Sequence, residues 1–503
     1  MDNCRKPIIL VSGATGYVGG RLVPILLERN YKVRCLVRDP SIIEGRGWSN
    51  IEIVAGDVLK YGTLLLAMKD VSVAYYLVHS MAGGEGFQKR DLTSARNFGK
   101  AAREAGVKRI IYLGGLGENN EQLSEHLKSR QQTGNCLREW GIPVTEFRAA
   151  QIIGSGSASF ELIRNTVERV PVLVTSKLIG TRAQPIAIRD VLSYLADCLE
   201  IPETESAIIE IGGSEILTYR EMMLKYAEIR GIKRKVLEVP FMSTNISAFL
   251  VDLVTPIPAN IARPLIEGLK NEVVVKDDSA KRLFDIAPIS YEQAVRFALE
   301  RIGKGQVLTT WQDAYSSFGG KVSEWVKLTN IEGMIKETRQ IKVFSDITTA
   351  FKVITCGNEG WLFANYLWHV RGFIDRISGG VGLKRARRCP TNLRVGDTLG
   401  FWRVEDLKTN CLLRLRSEMR MVSRAWLQFE IKELEDKKLL ITQTAFFEPK
   451  GLTGLMYWYF LYPMHKVVLK GMLNALAEQI LQSNTGKEIK NHMSCKLPGD
   501  MDE

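Results

Sequence analysis

Residues 8 to 19 read Ile8-Ile-Leu-Val-Ser-Gly13-Ala-Thr-Gly16-Tyr-Val-Gly19. A short apolar run leads directly into three glycines spaced three residues apart, and apolar residues at helical spacing follow it. This order predicts a β-strand, a tight turn and a helix. Gly13 permits the turn, Gly16 lets the backbone approach a ligand, and Gly19 lets the helix pack on the strand. The N–H groups at the helix start then form a site for a pyrophosphate.

The second predicted strand, residues 31–37, bears on the choice of dinucleotide. In NAD-binding proteins an acidic residue about 20 positions after the glycines holds the ribose 2′-hydroxyl. Here the strand ends in Val37-Arg38, and a guanidinium matches the oxygens of a 2′-phosphate. The sequence therefore favours NADP as the cofactor. The neighbouring Asp39 leaves NAD as a possible cofactor. The alternative interpretation of Arg38 is that it is only a solvated residue at the end of the strand.

Strands and helices alternate through the first 150 residues, which predicts an α/β, Rossmann-type doubly wound parallel sheet with helices on both faces. Ligands bind beyond the carboxyl ends of such strands. The residues expected to contact the dinucleotide are Gly13, Thr15, Gly16, Tyr17, Val18, Gly19, Arg38, Asp57, Val58 and His79.

The remaining pattern predicts an extended substrate cap and a second domain. We expect a first domain over 1–305 with a cap mainly at 154–302, a linker at 306–337, a second domain over 338–482, and a mobile tail at 483–503. Alternating apolar and polar residues in four β-prone runs predict an antiparallel sheet, which a long apolar helix closes. Such an α+β, helix-grip arrangement is typical of domains that enclose a cavity for an apolar small molecule or lipid.

Composition excludes several classes of function. The 503-residue chain has a net charge of +12, but it contains no nucleic-acid-binding motif, so its basic character points instead to phosphorylated ligands or acidic lipid heads.

The eight cysteines lie at no metal-ligand spacing, which predicts no metal site and a reducing cytoplasm. No apolar run reaches the length of a membrane span. Residues 451–464 are strongly apolar, which predicts a helix that is either buried in the core of its own domain or in peripheral contact with a membrane. The oligomeric state stays open.

The turn from Gly13 to Gly19, Val37-Arg38-Asp39-Pro40 and Gly56-Asp57-Val58 resemble the atypical, extended short-chain dehydrogenase/reductases. These include nitrogen-metabolite-repressor-like proteins and the 39-kilodalton subunit of respiratory complex I. Tyr112-Leu-Gly-Gly-Leu-Gly117 and Phe401-Trp-Arg-Val-Glu405 also resemble a bacterial group that carries a C-terminal domain of unknown function. That domain is similar to the helix-grip lipid-binding folds of the START and pollen-allergen type.

The resemblance implies a catalytic Ser, and a Tyr with a Lys four residues later. The matching helix reads His126-Leu-Lys-Ser-Arg130, so His126 stands at the Tyr position and Arg130 at the Lys position, while Gly114-Gly115 replaces the Ser. An imidazole with an unperturbed pKa of ~6.5 can donate a proton, and Arg130 can hold a ribose or a phosphate. Three interpretations remain: an altered catalytic pair, a domain that only binds cofactor, or two solvated helix residues.

The sequence thus predicts a cytoplasmic NADP-dependent oxidoreductase whose substrate is apolar, quinone-like or isoprenoid-like. The alternative is a non-catalytic protein that senses NADPH or assists assembly, with a lipid-binding C-terminal domain. A third interpretation is a lipid carrier whose conformation the nucleotide sets.

Overall fold

The structure is a computed structural model, and its chain divides into two compact units, Met1–Val322 and Ser323–Glu503. It describes residues 7–44, 46–79, 86–117, 123–239, 243–255, 257, 259–303, 307–311, 313, 335–356, 372–373, 375, 387–389, 392–419, 424–434, 438–448 and 451–484.

A seven-stranded sheet organises the first unit. Every neighbouring pair in it is parallel, and the strand order is β11-β6-β5-β4-β1-β2-β3. The strands are β1 Ile8–Ser12, β2 Lys32–Val37, β3 Ile51–Ala55, β4 Val71–Tyr76, β5 Arg109–Gly115, β6 Val144–Ala149 and β11 Ile208–Ile211. The predicted doubly wound parallel sheet is confirmed.

Helices cover both faces of this sheet, and strand β1 shows why. Its residues Ile9, Leu10 and Val11 are fully buried. Ile9 and Val11 belong to the core on one face and Leu10 to the core on the other, as expected for a parallel strand between two helical layers. The helices associated with the sheet are α1 Gly19–Glu28, α2 Ser41–Glu44, α3 Tyr61–Met68, α4 Phe87–Glu104, α5 Glu125–Arg138, α7 Ile188–Asp197 and α11 Ser279–Leu283.

A cap of short strands and helices forms the rest of the first unit. Three two-stranded sheets pair β10 with β7, β12 with β9, and β13 with β8. The strands are β7 Ile152–Ile153, β8 Val172–Thr175, β9 Arg182–Ala183, β10 Ile186–Ala187, β12 Leu217–Thr218 and β13 Lys235–Glu238. The helices are α6 Ala158–Arg169, α8 Tyr219–Ile229, α9 Thr244–Val254, α10 Ala259–Gly268 and α12 Tyr291–Gly303.

The range predicted for the cap, 154–302, must be corrected, because two segments within it belong to the main sheet and its core. Strand β11 lies within that range but pairs in parallel with β6 at the edge of the main sheet. Helix α7 also returns to the main sheet, where Val191 and Leu195 share a core with Ile9. The physical reason is burial: Ile209 and Ile211 are fully buried only because β11 extends the sheet.

The expected linker at 306–337 is also wrong at both ends. Thr309 is buried against α1, where its hydroxyl accepts a hydrogen bond from Arg21 Nε at 2.8 Å. The Trp311 N–H donates to the Gly156 carbonyl oxygen at 2.8 Å. At the other end, a strand already begins at Ile335. Residues 314–334 lie outside the described residues.

The second unit contains a six-stranded antiparallel sheet with the order β14-β19-β18-β17-β16-β15. Helices α13 and α14 pack on it through one apolar core, which confirms the α+β prediction. The elements are β14 Ile335–Phe344, α13 Ile347–Cys356, β15 Thr398–Leu399, β16 Trp402–Lys408, β17 Leu412–Ser417, β18 Arg424–Glu433, β19 Lys438–Glu448 and α14 Gly451–Asn484.

The mobile tail predicted from residue 483 must be corrected, because α14 continues to Asn484. The buried Leu476 and Ile480 anchor its final turns in the core of the sheet. Residues 485–503 lie outside the described residues. Within the described part of the chain, no helix is long and apolar enough to cross a bilayer, and no three His, Cys, Asp or Glu side chains are grouped to hold a metal.

Candidate functional site

The glycine turn joins β1 to α1 in a conformation that larger residues cannot adopt. Gly13 has a φ of 77°, and a Cβ there would lie 2.6 Å from the Leu77 carbonyl oxygen. A Cβ at Gly19 would lie 2.3 Å from the Gly13 carbonyl oxygen. No side chain caps the N-terminus of α1, so the turn fits a pyrophosphate held by backbone N–H groups.

Arg46 supports this turn, and the sequence analysis did not identify it. Its guanidinium donates to the carbonyl oxygens of Ala14 at 3.0 Å and Thr15 at 2.7 Å. It also lies 3.6 Å from Asp313, and its side chain is only 2% exposed. A buried cation therefore fixes the turn and adds positive charge beside the anion site. Nothing in the local sequence could have signalled it, because an arginine just after a short helix, here α2, is usually solvated.

A small pocket of about 80 Å³ lies at the carboxyl ends of β1, β2, β3 and β4. We call it the Arg38 pocket. It brings together seven of the predicted cofactor contacts, which are Gly13, Thr15, Gly16, Arg38, Asp57, Val58 and His79. These residues come from four different strand ends, as expected for the dinucleotide edge of a doubly wound sheet.

Arg38 and Asp57 set the electrostatics of this pocket. Burial lowers the pKa of Arg38, and the nearby Asp57 carboxylate opposes that shift. The Asp57 Oδ1 atom accepts a hydrogen bond from the Leu59 N–H at 3.0 Å, which fixes the carboxylate. A partly desolvated guanidinium interacts strongly with an anion that enters the pocket.

A second pocket, the histidine pocket, has a volume of about 350 Å³ and begins at the glycine turn. Gly16 and His79 line both this pocket and the Arg38 pocket. The histidine pocket is also lined by the predicted site residues that do not line the Arg38 pocket. Those other residues are Tyr17, Val18, Gly19, His126 and Arg130. Most of its remaining wall is apolar and includes Leu77, Leu113, Leu116, Leu127, Ile152, Ile261, Pro264, Leu265, Val273 and Trp311.

Two histidines stand together in this pocket. The ring centroids of His79 and His126 are 5.1 Å apart. The His79 Nδ1 atom lies 3.0 Å from Oδ2 of the buried Asp91. A carboxylate accepts, so this contact makes Nδ1 the protonated nitrogen and leaves Nε2 as an acceptor. Among the described residues, neither His79 Nε2 nor His126 Nδ1 has a hydrogen-bond partner, although both atoms are buried.

The protonation of both histidines follows from their surroundings. Burial lowers the pKa of His79, and the hydrogen bond to Asp91 opposes this effect. Burial lowers the pKa of His126 well below 6.5, and repulsion by His79 in its protonated form and by the Arg130 guanidinium adds to the shift. Both imidazoles are therefore neutral at pH 7, and a proton placed on either one is readily given up.

Arg130 occupies the expected position, but its contacts differ from those that a ribose-binding lysine would make. Its guanidinium donates a hydrogen bond to the Leu113 carbonyl oxygen at the end of β5. The guanidinium carbon also lies 5.1 Å from the centroid of the Tyr112 ring. Because the cation is tied to the strand end beside Gly114 and Gly115, it stabilises the wall of the pocket and supplies a positive charge there.

Several wall residues were missed because they come from distant parts of the chain. Gln151 donates to the Tyr219 hydroxyl across the cap side of the pocket. Ile261 and Leu265 come from helix α10, and Trp311 comes from the segment that we expected to be linker. Their apolar periodicity is typical of any buried helix, so the sequence held no signal that they share a cavity.

Two family profiles match the chain. The NAD(P)H-binding family matches residues 13–151, and a family described as a protein of unknown function (DUF2867) matches residues 335–472. Every predicted site residue, from Gly13 to Arg130, falls within the first match.

Several individual proteins resemble part of the chain. Ceramide reductase of Caulobacter vibrioides is 25% identical over 50% of this chain and 80% of that protein. Photosystem II assembly factor Ycf39 of Trieres chinensis is 23% identical over 55% of this chain and 85% of that protein. The solved structure of the NADPH-dependent quinone oxidoreductase QOR2 from Escherichia coli, complexed with NADPH, has 18% sequence identity and a TM-score of 0.49, and the match covers 57% of this chain and 98% of that chain.

Proposed function

We propose that the chain is an oxidoreductase, because residues 13–151 match the NAD(P)H-binding family and their motifs resemble the atypical short-chain dehydrogenase/reductases. It uses NADP to reduce an apolar substrate of the quinone, isoprenoid or lipid-like carbonyl class. The observation that carries this proposal is the histidine pocket, an apolar cavity that opens from the glycine turn and holds two buried imidazoles.

The dinucleotide would lie across both pockets. The glycine turn would hold the pyrophosphate, Arg38 and Asp57 would hold the adenosine end, and His79 marks the junction of the two pockets. A bound nicotinamide supplies hydride chemistry at such a site. The remaining space is then available to a substrate whose apolar surface contacts Leu116, Leu265 and similar side chains.

His126 is the group that we assign to proton transfer. It occupies the Tyr position of the family pattern, and its buried Nδ1 has no partner among the described residues. A reduced carbonyl or quinone oxygen must gain a proton, and a donor of lowered pKa releases one readily. His79, which Asp91 orients, lies against His126; its acceptor Nε2 would first take a proton from solvent and could then pass it to His126. Apolar walls exclude competing water from the reacting atoms.

Turnover tests the proposal directly. Purified full-length protein is expected to oxidise NADPH when it is given short-chain quinones or apolar aldehydes and ketones, and to leave small polar carbonyls unreduced. The loss of nicotinamide absorbance measures the rate. If NADPH binds tightly but no member of a broad apolar panel is reduced, the chain is not an oxidoreductase of this kind.

A separate prediction concerns the choice between NADP and NAD. Arg38→Ala is expected to weaken NADPH binding by about 10- to 100-fold, because a hydrogen bond to a charged group contributes about 1.5–3 kcal/mol. NADH affinity should change little. Calorimetric titration of both nucleotides measures the ratio.

Lys32→Ala is the matched control for this variant, since it removes an exposed cation from the other end of the same strand. It is expected to leave both affinities unchanged. An unaltered NADPH/NADH ratio in Arg38→Ala would remove the assignment of NADP.

A non-catalytic protein that senses NADPH or assists assembly is the second candidate, and two observations favour it. Gly114-Gly115 occupies the position of the family serine, and the Arg130 guanidinium is bound to the Leu113 carbonyl oxygen. The name of one relative, an assembly factor, fits the same idea. In this case the C-terminal domain would carry the lipid or partner, and nucleotide binding without turnover is the expected result.

The free cysteines support a reducing compartment. Among the described residues, the free cysteines are Cys35, Cys136, Cys198, Cys356, Cys389 and Cys411. Since unpaired thiols persist in a reducing environment, we place the chain in the cytoplasm.

A further inference from the structure

The exposed face of helix α14 changes character along its length. In the N-terminal half, Met456, Tyr459, Phe460 and Val467 are 64%, 67%, 84% and 61% exposed. Their spacing of three, four and seven residues places them on one face. In the C-terminal half, the exposed positions include Lys470, Asn474 and Glu478. On the opposite face, Trp458 is buried, residues 461, 462, 464 and 465 are partly buried, and a continuous buried row begins at Val468 and ends at Ile480.

The apolar half of this face is therefore not required for packing. We call Met456, Tyr459, Phe460, Pro463 and Val467 the α14 apolar stripe. Monomeric proteins seldom expose large neighbouring apolar side chains, and contiguous ones mark an interaction surface. The stripe covers about 12 residues, which corresponds to ~18 Å of helix and is too short to cross a bilayer core of ~30 Å.

The charges around the stripe identify the partner. The sequence contains no Asp or Glu between Glu448 and Glu478, whereas two lysines are exposed at the C-terminal end of the stripe: Lys466 beside Val467, and Lys470 one turn further on. Aromatic side chains with adjacent lysines suit the headgroup region of a bilayer, where rings settle at the interface and ammonium groups reach anionic phosphates. A second copy fits less well, because an isologous contact would place this face against itself, and the helix has no Asp or Glu before Glu478 that could pair with the lysines.

We propose that the α14 apolar stripe docks the chain on an anionic lipid surface, with the helix lying in the plane of the interface and Lys466 and Lys470 on the lipid phosphates. This role is independent of the oxidoreductase proposal, since it concerns only the second unit. Docking would bring the chain to the lipid bilayer, in which apolar small molecules dissolve.

Vesicle binding tests this inference. Full-length protein is expected to float with vesicles that contain phosphatidylglycerol, to bind phosphatidylcholine vesicles weakly, and to be released from the anionic vesicles as salt rises. Phe460→Glu should reduce vesicle affinity about tenfold or more, because it removes the burial of an aromatic ring and adds a charge that anionic lipid repels. Lys466→Glu with Lys470→Glu should reduce anionic binding and the salt response.

Leu481→Glu is the matched control, because Leu481 is also an exposed apolar residue of α14, at 45%, but lies outside the stripe. It should bind like the unaltered protein. All these side chains are exposed, and circular dichroism should show that each variant is folded. Failure to bind anionic vesicles overturns the proposal, and so does equal loss in Phe460→Glu and Leu481→Glu. Concentration-dependent dimers that Phe460→Glu dissociates, without vesicle binding, would instead assign the stripe to a second copy.

Discussion

Gly19→Ala is expected to reduce the affinity for NADPH by about 10- to 100-fold, because overpacking of a well-packed site costs roughly 1–3 kcal/mol. The added Cβ would lie 2.3 Å from the Gly13 carbonyl oxygen, and its other near neighbours are also backbone atoms of the turn. No flexible side chain can move aside, so the turn itself must shift. That shift displaces the N–H groups that hold the pyrophosphate. Equilibrium titration with NADPH measures the loss.

Gly62→Ala provides the control for this change. Gly62 also lies in a helix, α3, but a Cβ there meets nothing within 4 Å. This variant should bind NADPH normally and should be as stable as the unaltered protein or slightly more so, because alanine favours a helix over glycine. If Gly19→Ala binds NADPH as tightly as Gly62→Ala does, the turn is not the pyrophosphate site.

His126→Ala is expected to lower kcat by about 100-fold or more, the usual scale for removal of a positioned proton donor, while NADPH affinity stays unchanged. His126→Tyr restores the donor type of the family pattern and should retain more turnover than the alanine variant. In the unaltered protein, kcat should rise as the pH falls below 6.5, because burial places the pKa of His126 well below that value. The pH dependence should disappear in His126→Ala.

Gln132→Ala is the control on the same helix, since Gln132 is exposed and does not line the histidine pocket. It should leave both kcat and its pH profile unaltered. Equal kcat values in His126→Ala and Gln132→Ala would show that another group supplies the proton. Stopped-flow measurement of a single turnover separates this chemical step from product release.

Local features of the sequence predicted most of the residues at the edge of the sheet where we expect the dinucleotide to bind. The strand, the turn and the start of α1 are specified within twelve consecutive residues, because glycine spacing and apolar periodicity act over short distances. Arg38, Asp57 and His79 could be placed by the rule that parallel strands present their carboxyl ends on one edge. The Arg38 pocket contains all three.

The exceptions came from segments whose role depends on distant partners. Strand β11 was assigned to the cap because its sequence, Ile208–Ile211, is typical of any short strand. Only its pairing with β6 places it in the main sheet. Thr309 and Trp311 were assigned to a linker, since no local pattern records the buried guanidinium of Arg21 that holds Thr309.

The sequence by itself thus determined the strand, glycine turn and helix that are typical of a dinucleotide site, and the antiparallel α+β unit that follows, because both depend on residues close together in the chain. Only the tertiary structure decided which side chains share the histidine pocket. His79 and His126 are far apart in sequence, and their rings lie 5.1 Å from each other because β4 and α5 meet at one edge of the sheet. Burial then lowers the pKa of both imidazoles, and burial is a property of packing that periodicity alone does not encode.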